Sequence, residues 1–305
     1  MMGAPHEFHF DTARELLDWV SPLNEIWDAG TFIFRGQPSD RYKLTPSICR
    51  RGPGTFAYGS LMRAFAYTVR NQVEYELEVL SRFLSGCDRS GLIVPGYTEQ
   101  IKRKLANRRG SFLSAGDPWP QQSMYEIMAV AQHYDVPTRL LDWTERSFVA
   151  CYFAAASANF ELNDGNERIA IWALDTSNSD AWDTVSIIRT PGGTSKNQAA
   201  QSGLFTTHKV KDYSFEKYSP EALEDVQEIY GGGATARSLF KITLPVDQAP
   251  DLLILCSKLG VDGSTLFPGF HGVAKSVRDW ARLEIGVRPS QSLLDDTKAA
   301  TYGDD

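Results

Sequence analysis

The chain has 305 residues, 42 % of them hydrophobic and 23 % charged, with a net charge of −7. That length holds one large domain or two small ones, and the core is large enough to need no disulfide or metal. The acidic balance argues against broad nucleic-acid binding and leaves room only for a local basic patch. The four cysteines, Cys49, Cys87, Cys151 and Cys256, show neither CxxC pairing nor zinc spacing with histidine, so reduced thiols and no metal are expected. The first residues, MMGAPHEFHFDTARELLDW, lack the basic and apolar regions of a signal peptide, and no run is long enough to span a membrane. A cytoplasmic protein is therefore expected.

In chain order, Asp11 to Ile26 reads as a helix. Asp11 or Thr12 can cap it, and Leu16, Leu17, Val20, Leu23 and Ile26 form its apolar stripe. Thr31 to Phe34 reads as a short buried strand that ends in Arg35-Gly36-Gln37. Residues 51–60, rich in Gly and Pro, read as a loop. Val69 to Leu84 is an amphipathic helix, with Val69, Val73, Leu77, Leu80 and Leu84 on one face. Residues 86–122 look irregular, an insertion or a lid, with a basic helix around Tyr97–Arg109. Met124 to Tyr134 is a further helix stopped by Pro137, and Thr138 to Trp143 is extended. Arg146 to Asn159 is apolar nearly all round and so is expected to be a buried helix with Cys151 in the core.

The period then changes. Arg168–Leu174, Thr184–Arg189, Gly203–Thr207 and Ser238–Leu244 read as strands. Ala249–Leu259 and Phe270–Leu283 read as helices, with a turn at Ser264–Gly269 between them. Gly231-Gly232-Gly233 reads as a turn, the acidic run Glu221–Glu228 as a solvated helix face, and the residues after Pro289 as a polar tail. Helices first and strands later predict an α+β fold, a central and mainly antiparallel sheet with helices packed around it. One domain over residues 1–290 and a tail over 291–305 are expected.

Three stretches mix polar and apolar residues too tightly for packing alone. In Phe34-Arg35-Gly36-Gln37, the guanidinium is a permanent cation shaped for phosphate or carboxylate, and the glycine permits close backbone approach or a left-handed turn. In Gln132–Thr144, Arg139 and Asp142 bracket two leucines and are expected to pair. There His133 is either a helix C-terminal charge or a ligand contact, and Thr144 is placed to cap the next helix. In Asn197–Phe205, Gln198 and Gln201 precede a glycine and a strand, either as a polar loop or as amides that read a ligand. No nucleophile elbow, P-loop, HExxH or dinucleotide fingerprint is present. Arg63, Arg70 and the run KRKLANRR at 102–109 form basic patches, read as solvated helix faces rather than nucleic-acid contacts.

The combination of Phe34-Arg35-Gly36, Gln132-His133-Tyr134, PTRLLDWT at 137–144 and QSGLF at 201–205 resembles the FRG domain family, with LFPGFHGVAKSV at 266–277 similar to its end. The resemblance runs over about residues 20–280. It implies a bacterial or phage protein and no defined activity. A weaker resemblance is to ADP-ribosyltransferases, in which an aromatic-Arg-Gly strand binds NAD. It implies an ADP-ribosyltransferase-like core and NAD as substrate or ligand. It also implies phosphate or ribose contacts from Arg35, Gly36, Gln37, Arg139 and Thr144, with Asp142, His133 and Gln201 as the catalytic set. Those enzymes carry a glutamate where Gln201 stands, and a neutral amide cannot offset developing positive charge. Asp142 is then the carboxylate left to do so. The expected activity is ADP-ribosyl transfer or NAD cleavage in a toxin or anti-phage effector. The alternatives are a sensor that binds a nucleotide or a protein without turnover and, third, a nucleic-acid binder.

Overall fold

The computed structural model describes residues 3–27, 31–50, 68–107, 112, 117–159, 167–191, 196–231 and 238–286. The readings made for residues 51–60, Arg63, Arg108, Arg109, Gly232-Gly233 and the tail 291–305 lie outside these.

A seven-stranded sheet in the order β1-β7-β4-β2-β3-β6-β5 forms the centre. Its strands are β1 (His6–His9), β2 (Phe32–Gln37), β3 (Leu140–Thr144), β4 (Arg168–Asp175), β5 (Val185–Ile188), β6 (Gly203–His208) and β7 (Leu239–Pro245). Only β1 and β7 run parallel; the other neighbours are antiparallel. The fold is α+β, as the run of periods predicts.

Strand alternation gives the sheet two apolar faces. On one, Phe34, Ile169, Ile171, Phe240 and Ile242 pack beneath helices α1 (Ala13–Trp19), α5 (Ser147–Ser157) and α7 (Ala249–Lys258). Farther along, Leu140, Ile188 and Phe205 are covered by α2 (Val69–Arg89), α3 (Glu99–Ala106) and α4 (Tyr125–His133). Ile33, Leu141, Trp143 and Trp172 fill the other face and are closed by Leu44 and short turns at 223–230. The short helices α6 (Lys196–Ala200) and α8 (Gly263–Leu266) and the long α9 (Phe270–Gly286) complete the described elements.

Several boundaries differ from the sequence reading for local reasons. Thr12 caps α1 through a reciprocal bond with Glu15, but the helix stops at Trp19 and the chain makes only a 3-10 turn at Glu25–Trp27. Pro22 has no N–H to continue a helix. Ser264–Gly269 is not simply a turn, because Asp262 caps the one-turn helix α8. The acidic run is no helix face. Glu224 accepts from Leu44 N at 3.0 Å, and Glu228 accepts from Asp183 N, Thr184 N, Val185 N and the Thr184 hydroxyl. Glu228 thus ties its turn to the start of β5, and Glu224 ties its turn to the segment at Leu44. Cys151 lies in the core, and burial pushes its thiol pKa well up.

Candidate functional site in a split of the sheet

The Phe-Arg-Gly stretch lies inside β2 and does not end it. Six residues of β2 pair with β4, Arg35 facing Trp172 and Gly36 facing Ile171. Each residue of the motif has its own job. Phe34 is buried beneath α5. Gly36 lets α5 lie directly on the strand, since a Cβ there would sit 2.0 Å from Ala150 O and 2.6 Å from Ala154 N. Close approach is therefore the reason for this glycine, and no left-handed turn is made there.

On its other edge β2 meets β3 at a single position, Phe34 opposite Thr144. Beyond that pair the strands part. A cleft of about 990 Å³ opens between Arg35–Gln37 on one side and Leu140–Trp143 on the other, the size of a small-molecule site. Arg35 reaches across it. Its Nη1 donates to the Asp142 carbonyl at 2.7 Å and lies 3.5 Å from the Asp142 carboxylate. The arginine thus supplies a donor that a paired β2 backbone would have provided. Its side chain is 14 % exposed against 62 % for that of Asp142. Arg35 Nε is buried with no hydrogen-bond partner among the described residues. Burial lowers the Arg35 pKa, Asp142 opposes the shift and Arg50 adds to it; the group stays a cation all the same.

Seven of the eight expected site residues line this cleft: Arg35, Gly36, Gln37, His133, Asp142, Thr144 and Gln201. Gln37 is clamped, accepting from Trp172 Nε1 at 2.9 Å and donating to Lys43 O. Thr144 donates to Gln201 O at 2.6 Å and accepts from Arg146 N, so it fixes the turn into α5 from two residues ahead of the cap position. Gln201 Nε2 donates to Leu266 O at 3.1 Å, which ties the cleft wall to α8. His133 closes α4 and stands at the rim with its Nε2 3.5 Å from Asn197 Nδ2.

Arg139 is the exception. It does not pair with Asp142. Strand alternation and the turn at Thr138 send it away from the cleft, where it forms a two-bond pair with Glu76 of α2, with Nε donating at 2.9 Å. Burial alone would lower the Arg139 pKa, but the Glu76 carboxylate raises it well above its ordinary value. Glu76 also accepts from Trp119 Nε1 at 2.7 Å and Gln72 Nε2 at 2.6 Å. The pair anchors α2 to the start of β3.

Arg50, Phe153 and Phe267 are among the lining residues not expected at the site. Arg50 follows a 3-10 turn, Phe153 lies on α5, and Phe267 follows α8 with its ring 6.0 Å from that of Phe153. Phe153 sits within an apolar run that carries no polar signal. Among the described residues none from 86–122 lines the cleft, and Lys102 of the basic run pairs with Asp88 at 2.9 Å. No group of three or more His, Cys, Asp or Glu among the described residues could hold a metal. No helix among them is long and apolar enough to cross a membrane.

No curated protein and no solved structure matches the chain. A family model does match, over residues 30–162, a stretch that holds β2, β3, α5 and most of the cleft lining and stops short of QSGLF and LFPGFHGVAKSV. Its description is the FRG domain, and the chain therefore contains an FRG domain whose Phe-Arg-Gly residues form the floor of the split in the sheet.

Proposed function

We propose that the cleft binds an anionic nucleotide and that NAD is its substrate. The observation that carries this reading is Arg35, a cation that lines the opening of the sheet and is held there by the Asp142 carbonyl. The Arg35 side chain lines the cleft with 14 % of its surface exposed, and a phosphate oxygen there would be a charge-assisted partner for its guanidinium. Phe153 and Phe267 add apolar surface for a base or a nicotinamide ring.

The reaction is cleavage of the bond between nicotinamide and ribose. Nicotinamide departs with the bonding pair, C1 of the ribose becomes cation-like, and water or a nucleophile on a target closes it. With water, NAD and H₂O give ADP-ribose, nicotinamide and a proton. Asp142, exposed in the cleft and beside Arg35, is the one of its two carboxylates that stabilises the positive charge. Arg35 holds the phosphates, and His133 and Gln201 contact the ribose or the acceptor. Consumption of NAD suits a toxin or an anti-phage effector.

A second reading, binding without turnover, is favoured by Gln201, which is neutral and already committed to Leu266 O. Incubation with NAD separates the two, with nicotinamide followed by chromatography. Release by the wild type, lost in Arg35→Ala and lowered about 100-fold or more in Asp142→Asn, supports the enzyme. A rise in melting temperature with NAD but no product supports the binding module. Neither release nor a shift refutes both.

A further inference from the structure

The cleft holds a second arginine with a different setting. Arg50 follows the 3-10 turn Ser47–Cys49, and its backbone N donates to Ser47 O at 3.3 Å. Its Nε donates to Thr45 O at 3.0 Å. That bond fixes the stem and leaves the two terminal nitrogens without a hydrogen-bond partner among the described residues. Two carboxylates line the same cleft, Asp135 and Asp142. Asp142 is 3.5 Å from Arg35, and neither carboxylate is within ion-pair distance of Arg50.

We propose that Arg50 is a second anion contact, so that the cleft selects ligands with two linked phosphates over ligands with one. This rests on the nucleotide reading above and adds a specificity-determining residue to it. The two arginines occupy different depths. Arg35 lies at the floor of the split, 14 % exposed, while Arg50 is exposed at its mouth. Successive phosphates along a chain suit that arrangement better than one phosphate held from both sides. The cations also sense each other, since Arg50 contributes to the lowered pKa of Arg35. Two like charges facing one cleft repel, and an anion between them turns that repulsion into attraction on both sides.

The test is titration calorimetry of the full chain with AMP, ADP and inorganic pyrophosphate, for the wild type, Arg50→Gln and Arg50→Lys. The wild type should bind ADP about ten-fold more tightly than AMP, the worth of one charge-assisted contact. Arg50→Gln should bring ADP to the AMP level and leave AMP unchanged, and Arg50→Lys should restore part of the difference. A melting curve of each variant verifies the fold. Equal binding of AMP and ADP by the wild type, or an unchanged ratio in both variants, overturns the role of Arg50 and leaves the nucleotide reading standing. Pyrophosphate binding that depends on Arg50, without binding of either nucleotide, keeps the two-phosphate contact and overturns the nucleotide reading. No binding of any of the three overturns both.

Discussion

Replacing Arg139 by methionine tests what the buried pair with Glu76 contributes. The two side chains are 5 % and 3 % exposed, and two bonds join them. In Arg139→Met the Glu76 carboxylate keeps its neutral donors, Trp119 Nε1 and Gln72 Nε2, but loses both charged ones. A buried charge stripped of its partner costs about 3–5 kcal/mol. Glu76→Gln strands the guanidinium instead and should cost a similar amount. In the double variant Glu76→Gln/Arg139→Met no buried charge is left, and the new amide oxygen can still accept from Trp119. The double variant should therefore be more stable than the sum of the single losses predicts, by roughly 2–4 kcal/mol. Urea unfolding followed by tryptophan fluorescence measures all four proteins. The losses should change little in 0.5 M salt, because buried pairs are weakly screened. Single losses below about 1 kcal/mol, or simple additivity, would refute the idea that this pair anchors β3 to α2.

Gly36→Ala should destabilise by about 3 kcal/mol or more, since α5 must retreat from a Cβ placed 2.0 Å from Ala150 O; a denaturation midpoint equal to that of the wild type would contradict the packing argument. Glu228 has a lowered pKa: burial pushes it up, but the Thr184 hydroxyl and the backbone N–H groups of residues 183–185 outweigh that. With the folded value below the unfolded one, its contribution is complete above the ordinary carboxylate range and is lost as pH falls through the lowered value. The stability gap between wild type and Glu228→Gln should accordingly shrink as pH drops from 7 to 3, and a gap that widens would refute the assignment. Gln201→Glu puts a carboxylate against the Leu266 carbonyl in place of a donor. It should cost about 1–2 kcal/mol in urea unfolding, and a neutral or stabilising effect would show that the tether is idle.

What the sequence could show depended on how local the cause was. The helix over Val69–Arg89 and the buried helix over Ser147–Ser157 follow from the spacing of their own residues. PTRLLDWT was legible as a dense polar–apolar stretch, and most of its neighbours do line the cleft. The partner of Arg139 was not legible, because Glu76 lies 63 residues away on a helix that reads as ordinary and amphipathic. Asp142 was the nearer candidate in sequence, yet the strand aims the two side chains apart. The strand β1, HEFH, has only four residues, none of them buried, so its alternation is too brief to register. The role of Gly36 depends on a helix that begins more than a hundred positions later, and no window around the motif contains it.

The pairing of β1 with β7 has a consequence for how the chain matures. His6–His9 align with Phe240–Thr243, so the first described strand waits for the last. During synthesis the amino-terminal segment leaves the ribosome long before its partner exists. The aromatic nest of Phe8, Trp19, Trp27 and Phe32 around Phe240 cannot close until then. Loop closure over such a span is slow, and the nascent chain meanwhile exposes a sticky aromatic surface. Burial of Trp19 and Trp27 should be among the latest events of folding, and the two indoles are built-in reporters of the moment at which β7 joins β1.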